Sequence, residues 1–160
     1  MDRFDSEQVR KIWQRVQGNQ PEVHTAPAEW NPHFELSGAI TRELSCAALY
    51  RLLAKKVPQA IRNQIHRLAA EEHRHAAALQ GICAVTEGRC PHMRRIPTEN
   101  APVPVLLRRC YGQKLQAIAD YKKRVSDPRH GSVYQKMLEQ EQNQCRILLQ
   151  MIGSVEKKTL

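Results

Sequence analysis

A carboxylate and an imidazole stand on a helix face that has no room for ordinary charge. Ile61, Ile65, Leu68, Glu72, His75, Leu79 and Ile82 follow one another at steps of 4, 3, 4, 3, 4 and 3. That spacing is the seam of a helix packed in a bundle. Glu72 and His75 lie three residues apart, so their side chains stack one turn apart on that seam. Both point into a core, where an unbalanced carboxylate is costly. Whatever this chain folds into must bring compensating charge to the same spot. Such a pair is half of a metal site. It is equally a buried ion pair or a hydrogen-bonded histidine, and the other helices have to decide between these.

Three more stretches carry the same kind of seam. Ile40, Glu43, Ala47, Tyr50 and Ala54 step at 3, 4, 3 and 4, as do Leu107, Cys110, Lys114, Ala117 and Tyr121. Tyr134, Met137, Glu141, Gln144, Leu148 and Met151 continue the pattern near the C-terminus. Each has a polar or charged residue in a core row. The pattern predicts an all-α fold with four long helices, over about 36–56, 58–85, 103–125 and 132–155. The composition agrees, because glycines number 7 in 160 and aromatics are 5%, which suits helices rather than strands. Pro58 suits the first turn of its helix. Residues 86–102 are long enough to cross from one end of a bundle to the other, and Ser126 to Gly131 make a tight turn. Ahead of the bundle, Ser6 caps a short helix with the stripe Val9, Ile12, Trp13 and Val16, ended by Gly18 and Asn19. Pro21, Pro27 and Pro32 make residues 20–34 an extended connection. The expected organisation is residues 1–35 as N-terminal helix and connection, 36–155 as the bundle, and 156–160 as a flexible tail.

Several function classes drop out. No apolar run approaches the roughly 20 residues that span a bilayer, and the polar start Met1-Asp-Arg-Phe-Asp-Ser has no apolar leader. A cytoplasmic location is expected. The five cysteines, Cys46, Cys83, Cys90, Cys110 and Cys145, include no C-x-x-C pair, which argues against a disulfide framework or zinc ribbon. Four of them read as small apolar helix residues, and Cys90 as a loop thiol. The formal charge of +9 is scattered over the chain. With no glycine-rich phosphate loop, basic repeat or stacking aromatic cluster, it reads as a solvated surface rather than a nucleic-acid interface. Glu71 and His73 flank the seam and are expected to face solvent. Glu35, Asp120 and Glu139 read as surface acids.

The long helices fall into two matching halves. Glu43-Leu-Ser-Cys-Ala47-Ala-Leu-Tyr50 lines up with Lys114-Leu-Gln-Ala117-Ile-Ala-Asp-Tyr121. Leu68-x-x-x-Glu72-x-x-His75-x-x-x-Leu79 lines up with Met137-x-x-x-Glu141-x-x-Gln144-x-x-x-Leu148. This is an internal duplication of a helix pair.

On these residues the chain resembles the ferritin-like superfamily, and rubrerythrin-like proteins most closely, over about residues 36–153. The resemblance implies an up-down four-helix bundle with a long crossover. Each half would supply a Glu from its first helix and a Glu-x-x-His from its second, to hold two iron or manganese ions. Two ligands are missing here. Lys114 stands where the family has a glutamate, and Gln144 where it has a histidine. The resemblance leaves one ion position complete, made by Glu43, His75 and the bridging Glu72 and Glu141. Tyr50 and Tyr121 become hydrogen-bond donors behind the ligands.

Charge counting makes the substitutions intelligible. Four carboxylates against two divalent ions sum to zero. Three carboxylates, one lysine and one divalent ion also sum to zero, so Lys114 can replace the second cation. A metal-free site, with Lys114 bound to Glu141 and a carboxyl protonated, is the competing reading. The resemblance implies iron- or manganese-based redox chemistry with oxygen or peroxide, so that if the chain is an enzyme it is an oxidoreductase of the rubrerythrin-like type. The alternative is a non-catalytic bundle acting in binding or association. Di-iron members draw one electron from each iron, and a single iron lacks the second. The paired C-x-x-C electron-transfer module of rubrerythrins is absent, and no electron donor is indicated. Homodimers through helix faces are expected from the superfamily.

Overall fold

The computed structural model describes residues 36–90 and 97–156. They form four α-helices: α1 Leu36–Ala54, α2 Gln59–Glu87, α3 Val103–Lys122 and α4 Gly131–Glu156. There is no strand among the described residues. The expected N-terminal helix, the connection over 20–34, Glu35 and the last four residues lie outside them.

The helix termini follow from local chemistry. Helix α1 stops at Ala54, where Lys56 N–H donates back to Leu53 O at 2.9 Å and tightens the chain. Its freed carbonyl at Ala54 accepts from Arg62 Nε at 3.0 Å, and the same guanidinium reaches Val57 O at 3.2 Å. A side chain of the next helix thus satisfies an end that would otherwise lack partners. Pro58 and Pro102 stand immediately before α2 and α3 with φ of −58° and −57°, the value a helix start needs. Helix α2 ends on Gly88 at φ 75°, a left-handed conformation that favours glycine. Helix α3 ends at Lys122, three residues before the expected Val125, because Arg124 N–H bonds Tyr121 O at 2.9 Å in a tightened last turn. Asp127 then accepts from the N–H groups of Arg129 and His130 at 2.8 and 2.9 Å, which folds the turn into α4.

Pairings between helices give their directions. Residue 54 meets 62 and residue 43 meets 75, so α1 and α2 are antiparallel. Lys114 meets Glu141 while Tyr121 meets Tyr134, so α3 and α4 are antiparallel. Arg42 pairs with Asp120 and Glu43 with Lys114, and Glu72 pairs with Gln144 and His75 with Gln140. These set α1 against α3 and α2 against α4, again antiparallel. Helices α2 and α3 therefore run the same way.

The seams face the core. Ile65, Leu68, Leu79, Leu107, Cys110, Ala117, Met137 and Leu148 are buried, while Ile61 and Met151 at the seam ends are half-buried. Helix α1 is buried nearly all round, with Ser45, Leu49 and Leu53 covered as well as the predicted row. No described helix is long and apolar enough to cross a membrane. Cys46, Cys83, Cys110 and Cys145 are buried free thiols, and Cys90 is half-buried after α2.

Two glycines separate crowding from propensity. A Cβ at Gly131 would run into the backbone carbonyl of Val125, whereas one on Gly81, exposed in mid-α2, meets nothing within 4 Å. Gly131→Ala is expected to destabilise the fold by about 1–3 kcal/mol, and Gly81→Ala to stabilise it by about 0.5–1 kcal/mol. Urea denaturation of the two variants checks the opposite signs.

Candidate metal centre

Six polar side chains from four helices converge where the seams cross. Glu43 comes from α1, Glu72 and His75 from α2, Lys114 from α3, and Glu141 and Gln144 from α4. Five are fully excluded from solvent, and His75 is 2% exposed. Each sits in its helix row because the apolar residues a turn above and below must be buried, and those neighbours carry the polar group inward.

Lys114 Nζ touches all three carboxylates. It lies 3.5 Å from Glu43 Oε2, 2.8 Å from Glu141 Oε2 and in close contact with Glu72 Oε2. The His75 ring enters from the other side. Its Nδ1 is 2.8 Å from Glu141 Oε1, 3.7 Å from Glu43 Oε2 and 3.8 Å from Glu72 Oε1. Those contacts are short but misaligned. His75 Nδ1 is buried without a well-aligned hydrogen bond, although it lies 2.8 Å from Glu141 Oε1. One ligand atom each from Glu43, Glu72, His75 and Glu141 falls within 4.8 Å of the others. That is close to the span of a coordination shell with bonds of about 2.0–2.2 Å. Three carboxylates with one imidazole form the donor set that suits iron or manganese. The residues present fit a metal ion.

The two substituted positions show only donors to the carboxylates. An ammonium has no lone pair to offer. Gln144 could present its carbonyl, but Tyr50 O–H donates to that oxygen at 2.8 Å. Its amide nitrogen therefore faces the cluster and donates to Glu72 Oε1 at 2.6 Å and to Glu71 Oε2 at 2.8 Å. Tyr121 O–H donates to Glu43 Oε1 in a close contact. So Tyr121 reaches a carboxylate, whereas Tyr50 reaches the carboxamide that stands beside one.

Burial and crowding redistribute the protons. Burial opposes ionisation of Glu43, but Lys114 and then His75 outweigh it and hold this carboxyl well below its ordinary range. Burial pushes Glu72 up to about 8; Lys114 opposes this, and the charges of Glu141 and Glu43 add to it. His75 is raised to about 10, because Glu141 and Glu43 overcome the desolvation of its cation. Lys114 is raised well above its ordinary value against burial by the acidic groups around it. Cys46 is among them, but burial pushes its own thiol up and leaves it neutral, so the carboxylates dominate. In the metal-free cluster burial thus favours a proton on Glu72, while Glu43 stays ionised and Lys114 and His75 stay cationic.

A profile of the rubrerythrin family matches residues 35–158. The chain belongs to the rubrerythrin family. All four helices lie inside the matched span. Comparison with curated proteins and with solved structures gives no match.

Two residues of this rubrerythrin-family centre escape a reading by seams. Glu71, expected to face solvent, is half-buried and accepts from Gln140 Nε2 at 3.0 Å as well as from Gln144. Gln140, off the core row, lies 3.0 Å from His75 Nε2. The signal for both was the four-residue spacing of Gln140 and Gln144, which puts two amides on one side of α4. Asp120, expected as a surface acid, is a half-buried partner of Arg42 at 2.7 Å; that guanidinium sits 5.9 Å from the centre of the Tyr121 ring. His73 and Glu139 are exposed.

The proton inventory has two measurable consequences. Glu72 and His75 both have folded pKa values above their ordinary ones of 4.5 and 6.5, so the folded state holds more protons. Stability of the metal-free protein is therefore expected to fall as pH rises, through Glu72 between about 4.5 and 8 and through His75 between about 6.5 and 10. Thermal unfolding of metal-stripped protein should give a higher Tm at about pH 5.5 than at about pH 8.5. A divalent ion that enters displaces those two protons, so Mn2+ affinity should rise about hundredfold per pH unit between about pH 6 and 7.5. Titrations in buffers of differing ionisation enthalpy count the protons.

Proposed function

We propose that this protein binds a single divalent ion, iron or manganese, between Glu43, Glu72, His75 and Glu141. In this reading Lys114 takes the place of a second ion, on a ferritin-like bundle with a crossover between α2 and α3. The observation that carries it is His75 Nδ1, a buried ring nitrogen without an aligned hydrogen bond, aimed at oxygens of three carboxylates. A divalent ion there would use that lone pair and replace two protons without changing the cluster's charge. Bound iron would supply one-electron redox chemistry, and oxygen or peroxide are the substrates that family membership suggests. The surrounding residues have defined tasks: Tyr121 holds one oxygen of Glu43, Gln144 holds one oxygen of Glu72, and Lys114 neutralises the side away from His75.

One observation favours a second reading. Lys114 Nζ already contacts every carboxylate of the cluster, so the core has a cation without any metal. Under that reading the protein is a metal-free bundle that acts in binding or association.

Elemental analysis of protein from iron-supplemented medium separates the two. About one metal per chain is expected. The double variant Lys114→Glu with Gln144→His should raise this toward two, since it exchanges two donors for two ligands. Two metals in the unaltered protein would refute the role given to Lys114. No metal in either protein would favour the metal-free reading.

A further inference from the structure

The hydrogen bonds outside the carboxylate cluster form a second layer whose roles can be worked out from chemistry alone. His75 Nε2, the ring nitrogen turned away from the carboxylates, lies 3.0 Å from Gln140 Oε1. Gln140 Nε2 donates to Glu71 Oε1 at 3.0 Å, and Gln144 Nε2 donates to Glu71 Oε2 at 2.8 Å. Glu71 accepts from both amides, so Gln140 turns its NH2 group to it. Its carbonyl must then face the imidazole. A carbonyl only accepts, so His75 Nε2 carries the proton. Whenever the ring is neutral, the lone pair lies on Nδ1, which faces Glu43, Glu72 and Glu141.

The surroundings leave few substitutes for Gln140. A cleft of about 380 Å³ opens beside His75 between α2 and α4. Of its lining side chains, Arg74 and Lys136 only donate, Ala78 and Val133 carry no polar atom, Met137 offers a weakly accepting thioether, and Ser132 a hydroxyl. A flipped ring or the other tautomer would offer the cluster an N–H in place of a lone pair.

We propose that Gln140 is a positioning residue that sets the tautomer and orientation of His75, and that Glu71 orients Gln140 and Gln144 together. Its consequence for metal affinity rests on the metal-binding function proposed above; its geometry does not. Glu71 thereby acts at two points, on the imidazole through Gln140 and on Glu72 through Gln144.

The test uses three forms of the full chain beside the unaltered protein. Gln140→Leu removes the acceptor. Glu71→Gln alone removes the carboxylate that turns Gln140. The double exchange Glu71→Gln with Gln140→Glu moves the carboxylate one place along the relay and keeps an acceptor on His75 Nε2. Two readouts are taken, Mn2+ affinity by electron paramagnetic resonance and the slowly exchanging His75 Nε2–H signal in 15N-labelled metal-free protein. Both single variants are expected to weaken Mn2+ binding about 10–100-fold and to lose the protected N–H signal. The double exchange should bring both back toward the unaltered protein. The inference is overturned if Gln140→Leu keeps the affinity and the signal, or if the double exchange fails as badly as the single variants. If the unaltered protein binds no Mn2+, the function proposed above fails and the N–H signal alone decides this inference: present without substitution and lost in Gln140→Leu supports it, while any other pattern overturns it.

Discussion

The Lys114 ammonium, enclosed by three glutamate side chains and excluded from water, is the contact on which the rest of this structure depends. A buried charge without a partner destabilises a fold by several kcal/mol, so none of these four groups can be tolerated without the others. They come from four different helices, and the cluster can form only when all four seams meet at one depth. Charge balance thus constrains the register of the bundle in a way that apolar packing, which tolerates exchange of similar shapes, does not. His75 completes the balance, since its cation offsets the charge that Lys114 and the protonated Glu72 leave over.

The centre has two unlike sides. Toward Lys114 and Gln144, every group offers hydrogen to the carboxylates, and Tyr50 locks Gln144 in that orientation. Toward His75, a ring nitrogen and carboxylate oxygens meet without a well-aligned hydrogen bond. The two repeats thus meet as one side that neutralises itself at Lys114 and one side where His75 faces the glutamates. The same three glutamates serve both, so proton and lysine compete for one set of oxygens, and a metal ion bound as proposed would join that competition.

The apolar core lies to one side of this cluster. Leu49, Leu53, Ile65, Leu106, Leu107 and Leu148 pack there around Tyr50. The Tyr50 hydroxyl bridges from that apolar packing to the polar cluster through Gln144. On the side of Tyr121, the ring stacks at 6.0 Å from Tyr134 and lies beneath Arg42, which is anchored by Asp120. The two tyrosines seven residues after Glu43 and Lys114 thus occupy matching positions in the two halves with different partners, because the residues they face have diverged.

Much of this was legible in the chain. Steps of three and four residues placed Glu43, Glu72, His75, Lys114, Glu141 and Gln144 on core rows, because helical geometry makes burial a local property of spacing. The duplicated helix pair set those residues at equal depth, and the prolines and glycines marked the ends to within a few residues. Contacts off the rows were not legible. That Glu71 turns inward, that Gln140 rather than a carboxylate meets His75, and that Asp120 is tied to Arg42 depend on which flank of one helix meets which flank of another. That choice is set by side-chain packing between segments some 70 residues apart in sequence. Proton positions were beyond the sequence for the same reason. A pKa near 8 for Glu72 and near 10 for His75 is a sum over charges brought together only by the fold. The sequence by itself determined which groups are buried; the tertiary structure decided which of them touch, and therefore which carry a proton and which keep a lone pair free.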